Sequence, residues 1–252
     1  MEVVNSMFQE IIEFFVTVIR YTPKFIPGVI MTLKLSVLSI LIGTIFGLIG
    51  TLLKFSQRKI LMKIIDAYIT VVRGTPLLLQ LIFIFYGLPQ IGITFSAFVS
   101  AALGLAFHSG AYIIEIFRGA VESIDNGQRE ASRALGMTKW QSMRRVILPQ
   151  AFKRSIPALG NQFIIAIKDS SLASVITMTE LLMLSKQFVA ATYNVFPIFF
   201  IAGCYYLIIT AVLSKALQLL EYKLKVNERE MKDVKSEKIV QVLWRVRSTK
   251  GN

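Results

Sequence analysis

The chain has few of the residues that most enzymes use for chemistry. Its 252 residues include one histidine, His108, and one cysteine, Cys204. A single cysteine excludes an intrachain disulfide and a cysteine-rich metal site, and the sequence offers no Ser/His/Asp or metal-ligand cluster. It also contains no GxxxxGK[ST] phosphate-binding loop, so it cannot bind ATP in that manner. These absences predict a chain that is not an enzyme, with no metal and no cofactor of its own.

Charged residues are also scarce, whereas apolar residues are abundant. Only 17% of the residues are charged, 54% are hydrophobic and the mean hydropathy is +0.62. Such a chain is too apolar for an ordinary soluble domain and has runs long enough to cross a bilayer. Glu2, Glu10 and Glu13 stand where a cleavable signal peptide would be basic, so we expect the first span to insert uncleaved. We therefore predict an all-α integral membrane protein.

Apolar runs predict five transmembrane helices in a domain that covers residues 25–220. The runs cover roughly residues 26–53, 64–88, 96–118, 157–182 and 194–219. Residues 7–20 are too short and too charged to span, so we expect an amphipathic helix on the outer surface, within an extracellular segment 1–24. Residues 221–252 form a charged tail. Within it, residues 236–252 either lie on the anionic inner leaflet or are disordered.

Basic residues are concentrated in three segments of this chain, whose net charge is +13. Four follow the first run, eight lie between Arg118 and Arg154, and ten lie from Lys215 to the end. The positive-inside rule places all three segments in the cytoplasm. With five spans, this predicts an N-terminus outside, a C-terminus inside and a cytoplasmic loop at 119–155. Charge placed in this way does not indicate nucleic-acid binding.

The loop between the third and fourth runs predicts two short helices. We expect a turn at 126–127 and a helix in the following GQREASRAL, ended by Gly136, which tolerates a positive φ. Thr138 and Gln141 have capping-box spacing for a second helix. We expect Pro149 to stop that helix. A helix-turn-helix held between spans has no core of its own, which indicates that another protein binds it.

Charged residues inside the apolar runs mark a candidate cavity. Arg73 lies in the second run, beside Gly74 and Pro76, which predict an irregular helix with backbone groups freed to line a cavity. Glu115 lies near the inner end of the third run. Lys168 and Asp169 lie near the middle of the fourth. A charge in hydrocarbon costs about 2.5 kcal/mol or more, so these groups must face protein, water or a ligand. The three glycines of GTIFGLIG, Gly43, Gly47 and Gly50, have a spacing near that of close-packed membrane helices.

Several separated motifs resemble one family. Glu130-Ala131-Ser132, Gly136 and Ile147-Leu148-Pro149 are similar to the EAA loop of ABC importer permeases, the element that docks into the ATPase subunits. LKLSVLSILIGTIFG, VVRGTPLLLQLIFIFYGLP, GAYIIEIFRGAVESIDNGQ and KDSSLASVI resemble the polar amino acid branch of those permeases. The resemblance covers roughly residues 28–225. Ser132 and Val146 depart from the pattern, which has alanine and isoleucine there.

The resemblance implies a type I ABC importer permease fold whose coupling helix-turn-helix lies between spans 3 and 4. It implies a non-catalytic subunit of the bacterial cytoplasmic membrane, surrounded by lipid. Its partners would be a second permease subunit, identical or a sister chain, two ATPase subunits that bind ATP-Mg, and an extracellular binding protein. The substrate would be a polar amino acid such as arginine, histidine, glutamine, glutamate or cystine. The ATPase-coupling residues would be Glu130, Ala131, Gly136, Leu148 and Pro149.

The candidate substrate-binding residues are Arg73, Thr75, Glu115, Lys168, Asp169, Ser170 and Ser171. A zwitterionic amino acid would place its carboxylate at Arg73 or Lys168 and its ammonium at Asp169. The hydroxyl groups of the set would supply further hydrogen bonds. Structural ion pairs explain the same residues, with Arg73 bound to Asp169, or Glu115 bound to Arg73 or Arg118. The sequence leaves both interpretations open.

Two other classes of protein fit parts of the sequence. A secondary transporter or channel would carry out transport in vesicles that lack an ATPase, but five spans do not divide into two equal repeats. A membrane-tethered DNA binder would use REASRALGMTKWQSMRRVI as a helix-turn-helix. Spans hold that segment at both ends, which leaves little room to reach a major groove.

Overall fold

The structure, a computed structural model, describes the backbone of residues 2–56 and 58–248 and the side chains of residues 5, 7–56 and 58–224. These residues contain helices and no strands, which confirms the all-α fold class. The helices are α1 (Glu2–Tyr21), α2 (Ile26–Lys54), α3 (Lys59–Gly74), α4 (Leu77–Ile82), α5 (Ala97–Glu122), α6 (Asn126–Ala134), α7 (Lys139–Ser142), α8 (Leu148–Asp169), α9 (Leu181–Thr192) and α10 (Val195–Ser248). Met1–Ala211 form one compact unit and Val212–Asn252 a second.

The helices α2 and α5 pack closely against each other at three glycines of α2. A Cβ atom added at Gly47 would lie 2.3 Å from Ile113 Cγ2, and one added at Gly50 would lie 2.4 Å from Ile114 Cδ1. One added at Gly43 would lie 3.0 Å from a backbone oxygen of α5. Glycine at these three positions therefore lets the two helices approach closely, as the small-residue spacing predicts.

The second apolar run is broken where the sequence predicts irregularity. The helix α3 ends at Gly74, Thr75 and Pro76 are extended, and α4 begins at Leu77. The two halves are bent by 106°. Proline disfavours a helical conformation in the residue before it, which explains the break. The run at 64–88 is thus two helical pieces.

The loop at 119–155 contains both predicted helices, with one difference at its start. The side chain of Asp125 caps α6 by accepting a hydrogen bond from the Gly127 N–H at 2.6 Å, so 126–127 are the first turn of a helix and the predicted turn there is wrong. Gly136 has a φ of +78°, as expected. Thr138 and Gln141 form the predicted capping box.

The expectation that Pro149 stops the second helix is wrong. A π-helical turn at Met143–Ile147 leads directly into α8, and Pro149 lies in the first turn of that helix. Proline is tolerated in a first turn, and the wider π turn before it changes the hydrogen-bonding pattern that the proline ring would disturb. Helical structure therefore runs without a gap from Lys139 to Asp169, through Pro157.

The predicted fourth helix is also shorter at its far end. It ends at Asp169, and a 3-10 helix, Ser170–Ile176, follows. Thr177 then takes a φ of +61° and the chain bends into α9. The sequence KDSS therefore lies at a helix end, whereas we expected it near the middle of a span.

Three described helices are long and apolar enough to cross a membrane, and the count rises to five if each of two bent pairs is one span. The count of five stays a prediction. The N-terminal helix α1 forms, and its Phe14 packs on Phe196 and Phe200 with ring centroids 5.7 and 5.4 Å away. Its position on the outer surface stays a prediction. The arrangement expected for residues 236–252 lies outside the described side chains.

Candidate functional site

Glu115 is the centre of a charged cluster that joins α2, α3 and α5. Its carboxylate accepts hydrogen bonds from Lys54 Nζ at 3.2 Å and from Arg118 Nη2 at 2.8 Å. Arg73 Nη1 lies 3.6 Å from it. Glu115 thus pairs with both Arg73 and Arg118, as the structural interpretation predicted, and the sequence did not identify Lys54 as a third partner.

Two further carboxylates balance the charge of the cluster. Asp66 lies 3.0 Å from Lys54 Nζ, and Glu122 accepts from Arg118 Nη1 at 2.7 Å. Three cations and three carboxylates therefore compensate one another. A balanced cluster lowers the cost of holding charge beside an apolar bundle.

Arg73 is the most loosely held cation of this cluster. Its distance to Glu115 is the longest of the five ion pairs, and 45% of its side chain is exposed. Its guanidinium also lies 5.3 Å from the centroid of the Tyr112 ring. The alternative pair between Arg73 and Asp169 does not occur among the described side chains. Arg73 is therefore the group of this cluster that a ligand carboxylate can reach most easily.

Gln80 closes the helix break next to Arg73. Its amide nitrogen donates to Thr75 Oγ at 3.0 Å and to the Val72 carbonyl at 2.9 Å, and its oxygen lies 3.2 Å from His108 Nδ1. Thr75 Oγ itself donates to the Val71 carbonyl at 2.8 Å. Backbone groups freed by the break are satisfied in this way. We did not predict a role for Gln80, although a lone amide in the run LLLQLIFIF is a signal for one.

The segment Lys168–Ser171 covers the end of α8 and the start of the 3-10 helix, and the 3-10 helix packs beside the break. Leu77 and Leu81 of α4 share an apolar cluster with Ala173 and Ile176 of the 3-10 helix. No hydrogen bond or ion pair between described side chains joins this segment to Arg73, Thr75 or Glu115. The structure therefore places the two halves of the predicted set on neighbouring elements, with no hydrogen bond or ion pair between their described side chains.

The polar groups of this segment differ in their partners. Ser170 is buried and donates to the Ile167 carbonyl at 2.7 Å, while Ser171 donates to the Lys168 carbonyl at 2.6 Å. Lys168 is exposed and Asp169 is half-buried. Neither forms an ion pair with any side chain that the structure describes.

Glu180 is a buried carboxylate that the sequence analysis missed. It is fully enclosed and accepts hydrogen bonds from the Leu182 and Met183 N–H groups, at 2.8 and 2.7 Å, and from the Tyr206 hydroxyl at 2.9 Å. It caps the start of α9. A glutamate before the apolar run LLML is a helix-start signal, but the fourth run predicted at 157–182 passes through Glu180 without a break.

The predicted ATPase-coupling residues lie on and beside the hairpin formed by α6 and α7. Glu130, Ala131, Gly136 and Pro149 are exposed, and Leu148 is half-buried. The residues just before and just after the hairpin pack together in one apolar cluster, made of Ala120, Val121, Ile124, Ile147 and Ala151.

The described residues contain no group of three or more His, Cys, Asp or Glu side chains that could hold a metal ion.

Comparison with known proteins gives a family and several relatives. The family described as binding-protein-dependent transport system inner membrane component matches residues 40–226. The nopaline transport system permease protein NocM of Agrobacterium fabrum is 37% identical over 84% of this chain and 92% of its own length. The glutamine transport system permease protein GlnP of Escherichia coli K12 is 41% identical, with 81% and 94% covered. The arginine transport system permease protein ArtQ of Bacillus subtilis is 38% identical, with 85% and 98% covered.

Solved structures show the same fold. A crystal structure of an amino acid ABC transporter with histidines contains a chain that is 43% identical, with a TM-score of 0.80 over 83% of this chain and 98% of that one. The inward-facing MetNI methionine ABC transporter contains a chain that is 21% identical, with a TM-score of 0.67 over 79% and 95%. The latter supports the fold alone. The predicted family is therefore confirmed, and this protein belongs to the binding-protein-dependent inner membrane components, the non-catalytic permease subunits of ABC importers.

Proposed function

We propose that this permease subunit carries a polar amino acid across the bacterial cytoplasmic membrane into the cell. The observation that carries the proposal is the similarity, over more than four fifths of the chain, to permeases named for arginine and glutamine transport. Separate ATPase subunits supply the energy and an extracellular binding protein delivers the substrate. The assembly we propose contains two permease subunits and two ATPase subunits that bind ATP-Mg, with the hairpin in the cytoplasm.

The candidate substrate site lies where the broken second run meets the end of α8. A zwitterionic amino acid would bind Arg73 or Lys168 through its carboxylate and Asp169 through its ammonium group. Support comes from Lys168 and Asp169, which have no ion-pair partner among the described side chains, and from the 3.6 Å separation of Arg73 and Glu115. A substrate carboxylate would compete with Glu115 for Arg73. Thr75, Ser170 and Ser171 would supply uncharged hydrogen-bonding groups.

Substrate binding at Asp169 is tested by Asp169→Asn, which removes the charge and keeps the shape. We expect uptake by proteoliposomes containing the permease, its ATPase and its binding protein to fall by about tenfold or more, because the ammonium loses its charged partner. The control is Asp66→Asn, which makes the same change of an aspartate to an amide at a residue that pairs with Lys54 and is not in the proposed set of substrate-binding residues. Its effect should be several times smaller. Competition with a panel of amino acids in the same assay identifies the substrate.

The opposite result has a clear form. If Asp169→Asn prevents folding, and second-site revertants that still lack the charge carry out normal uptake, then Asp169 is structural and the proposed substrate site is wrong.

Coupling through the hairpin is tested by Gly136→Glu, compared with Gly136→Ala. A Cβ at this position meets no atom within 4 Å, so the Cβ of neither variant creates a clash. Both carry the strain of a positive φ, roughly 1–2 kcal/mol. Only glutamate adds bulk and charge at the exposed tip. We expect Gly136→Glu to fold in the membrane and lose ATP-driven uptake, and Gly136→Ala to keep most of it. Undiminished uptake by Gly136→Glu would count against the docking assignment.

A further inference from the structure

A small cavity separates the two helices of the hairpin. It has a volume of about 250 Å³ and is lined by Arg129, Arg133, Lys139, Ser142, Met143 and Ile147. The two arginines are four residues apart on α6 and therefore share a face. The opposite helix contributes a residue, Lys139, and its neighbours three and four positions on, Ser142 and Met143, which likewise share a face. Two helix faces thus enclose the space, and both contribute cations.

The charge around this cavity is not compensated. No acidic residue lines it, and none of its three cations forms an ion pair with a described side chain. Arg129 donates through Nη2 to the Val121 carbonyl at 3.2 Å, but its Nε is buried and has no hydrogen-bond partner. Buried donors of this kind are rare in native proteins unless a ligand or water satisfies them. The cavity therefore has the chemistry of an anion site.

The size of the cavity limits the anion that fits. A water molecule occupies about 30 Å³ of liquid, so the space corresponds to about eight waters. Drug-sized ligands use pockets of about 300–1,000 Å³, which argues against a nucleotide. A single carboxylate group with a few waters fits well.

The walls of the cavity are held in place before anything binds. The hydroxyl groups of Ser132 and Ser142 are hydrogen-bonded to each other across the two helices. The capping box at Thr138 fixes the start of the second helix, and Ile147 belongs to the apolar cluster that anchors the hairpin. A site that is already ordered loses less conformational entropy on binding.

The surroundings of the cavity favour a protein as the source of the anion. Leu135 and Trp140, which follow Arg133 and Lys139 closely in the chain, are 78% and 62% exposed. Large apolar groups at an exposed tip are typical of a protein interface. The hairpin also exposes one acidic side chain, Glu130, beside the cations of the cavity.

We propose that this cavity binds an acidic side chain of the ATPase subunit, an Asp or Glu flanked by apolar residues that cover Leu135 and Trp140. The inference rests on the proposed coupling function, which it deepens by naming the chemistry of the contact. The partner's carboxylate binds between Arg133 and Lys139, with the Arg129 guanidinium as the third cation of the lining.

The test is the double variant Arg133→Gln/Lys139→Gln, with Arg144→Gln as the control. All three side chains are exposed and belong to the same hairpin region, but Arg144 does not line the cavity. We expect the affinity of the permease in nanodiscs for its purified ATPase subunit to fall by about tenfold or more in the double variant. The loss should shrink at high salt, because screening weakens the same contact in the wild type. The control should stay within about twofold of the wild type.

A genetic arm identifies the partner residue. Arg133→Glu should abolish growth that depends on uptake, and suppressors in the ATPase gene should replace Asp or Glu by Lys or Arg. Suppressors that lie only elsewhere would contradict the proposal.

The outcomes separate this proposal from the docking assignment. If the double variant binds the ATPase like the wild type while Gly136→Glu does not, the hairpin docks and the carboxylate site is wrong. If neither variant affects ATPase binding, both proposals fail. If ATPase binding is unchanged and only the retention of anionic lipid falls, the cavity binds a lipid headgroup and the proposal is overturned.

Discussion

Glu180 is the only fully buried charged side chain among the described residues. Its carboxylate links the first turn of α9 to the Tyr206 hydroxyl on α10, and the neighbouring Leu181 N–H donates to Thr32 Oγ of α2 at 3.2 Å. Three helices therefore meet at one polar point. Because buried acceptors are costly without donors, the hydrogen bonds explain how this charge is tolerated.

We expect Glu180→Gln to lower the free energy of unfolding by about 1–3 kcal/mol, because an amide offers one oxygen where three donors require an acceptor. Tyr206→Phe should cost about 1 kcal/mol. The effect of the double variant should be smaller than the sum, since both changes remove one shared bond. Thermal unfolding in detergent measures these differences. Tyr193→Phe, at a side chain that is 87% exposed, is the control. Strict additivity would contradict the proposed bond.

At the scale of the element, the helices and the broken second run follow from local sequence. Pro76 disfavours a helical Thr75, and the Thr138–Gln141 pair forms its own cap, so both features are decided within a few residues. Pro149 was misjudged because proline also fits the first turn of a helix, and the π turn before it depends on packing. The end of α8 at Asp169 likewise has no strong local signal.

The candidate site shows the same limit. An isolated charge such as Arg73 in an apolar run is visible in the sequence, because hydrocarbon penalises it. Its partner is not visible, since Glu115 and Arg73 are far apart in the chain and come together only through packing. Gln80 and Glu180 each carry a local signal, but their partners His108 and Tyr206 come near only through packing, so the sequence does not show what they bind.

The contact between α2 and α5 gives a prediction for an element. Gly47→Ala places a methyl group 2.3 Å from Ile113 Cγ2, so the helices must move apart. We expect a loss of about 1–3 kcal/mol of stability. Gly203→Ala, which meets no atom within 4 Å on its helix, should be neutral or slightly stabilising.

Rescue tests the cause of that loss. Ile113→Ala removes the atom nearest to the new methyl group and should destabilise the Gly47→Ala protein less than it destabilises the wild type. Unfolding in detergent again measures the change. Equal effects in the two backgrounds would show that the clash is not the reason.

At the scale of the whole molecule, orientation in the membrane is open to a direct test. Cys204 is the only cysteine, so Cys204→Ser gives a background for single-cysteine labelling. We expect Leu135→Cys, in the hairpin of a permease produced without its ATPase subunits, to react with a membrane-impermeant maleimide only after the membrane is opened. Ile91→Cys should react in intact cells, because Ile91 lies just after the second run, at the end that the predicted topology places outside. Both positions are more than 70% exposed, so accessibility alone does not distinguish them.

The opposite labelling pattern would reverse the proposed topology. It would place the hairpin away from ATP and remove the basis of the coupling and carboxylate-site proposals together.

The uninterrupted helix from Lys139 to Asp169 has a mechanical consequence. At about 1.5 Å per residue its length along the chain is roughly 45 Å, with one end in the hairpin and the other at Lys168 and Asp169, which have no ion-pair partner among the described side chains. Under the proposed coupling, a displacement of the hairpin would reach that end through one continuous helical segment, with no loop between them. Because Pro149 does not end this helical segment, a movement of the hairpin in the proposed coupling would shift Lys168 and Asp169 with it.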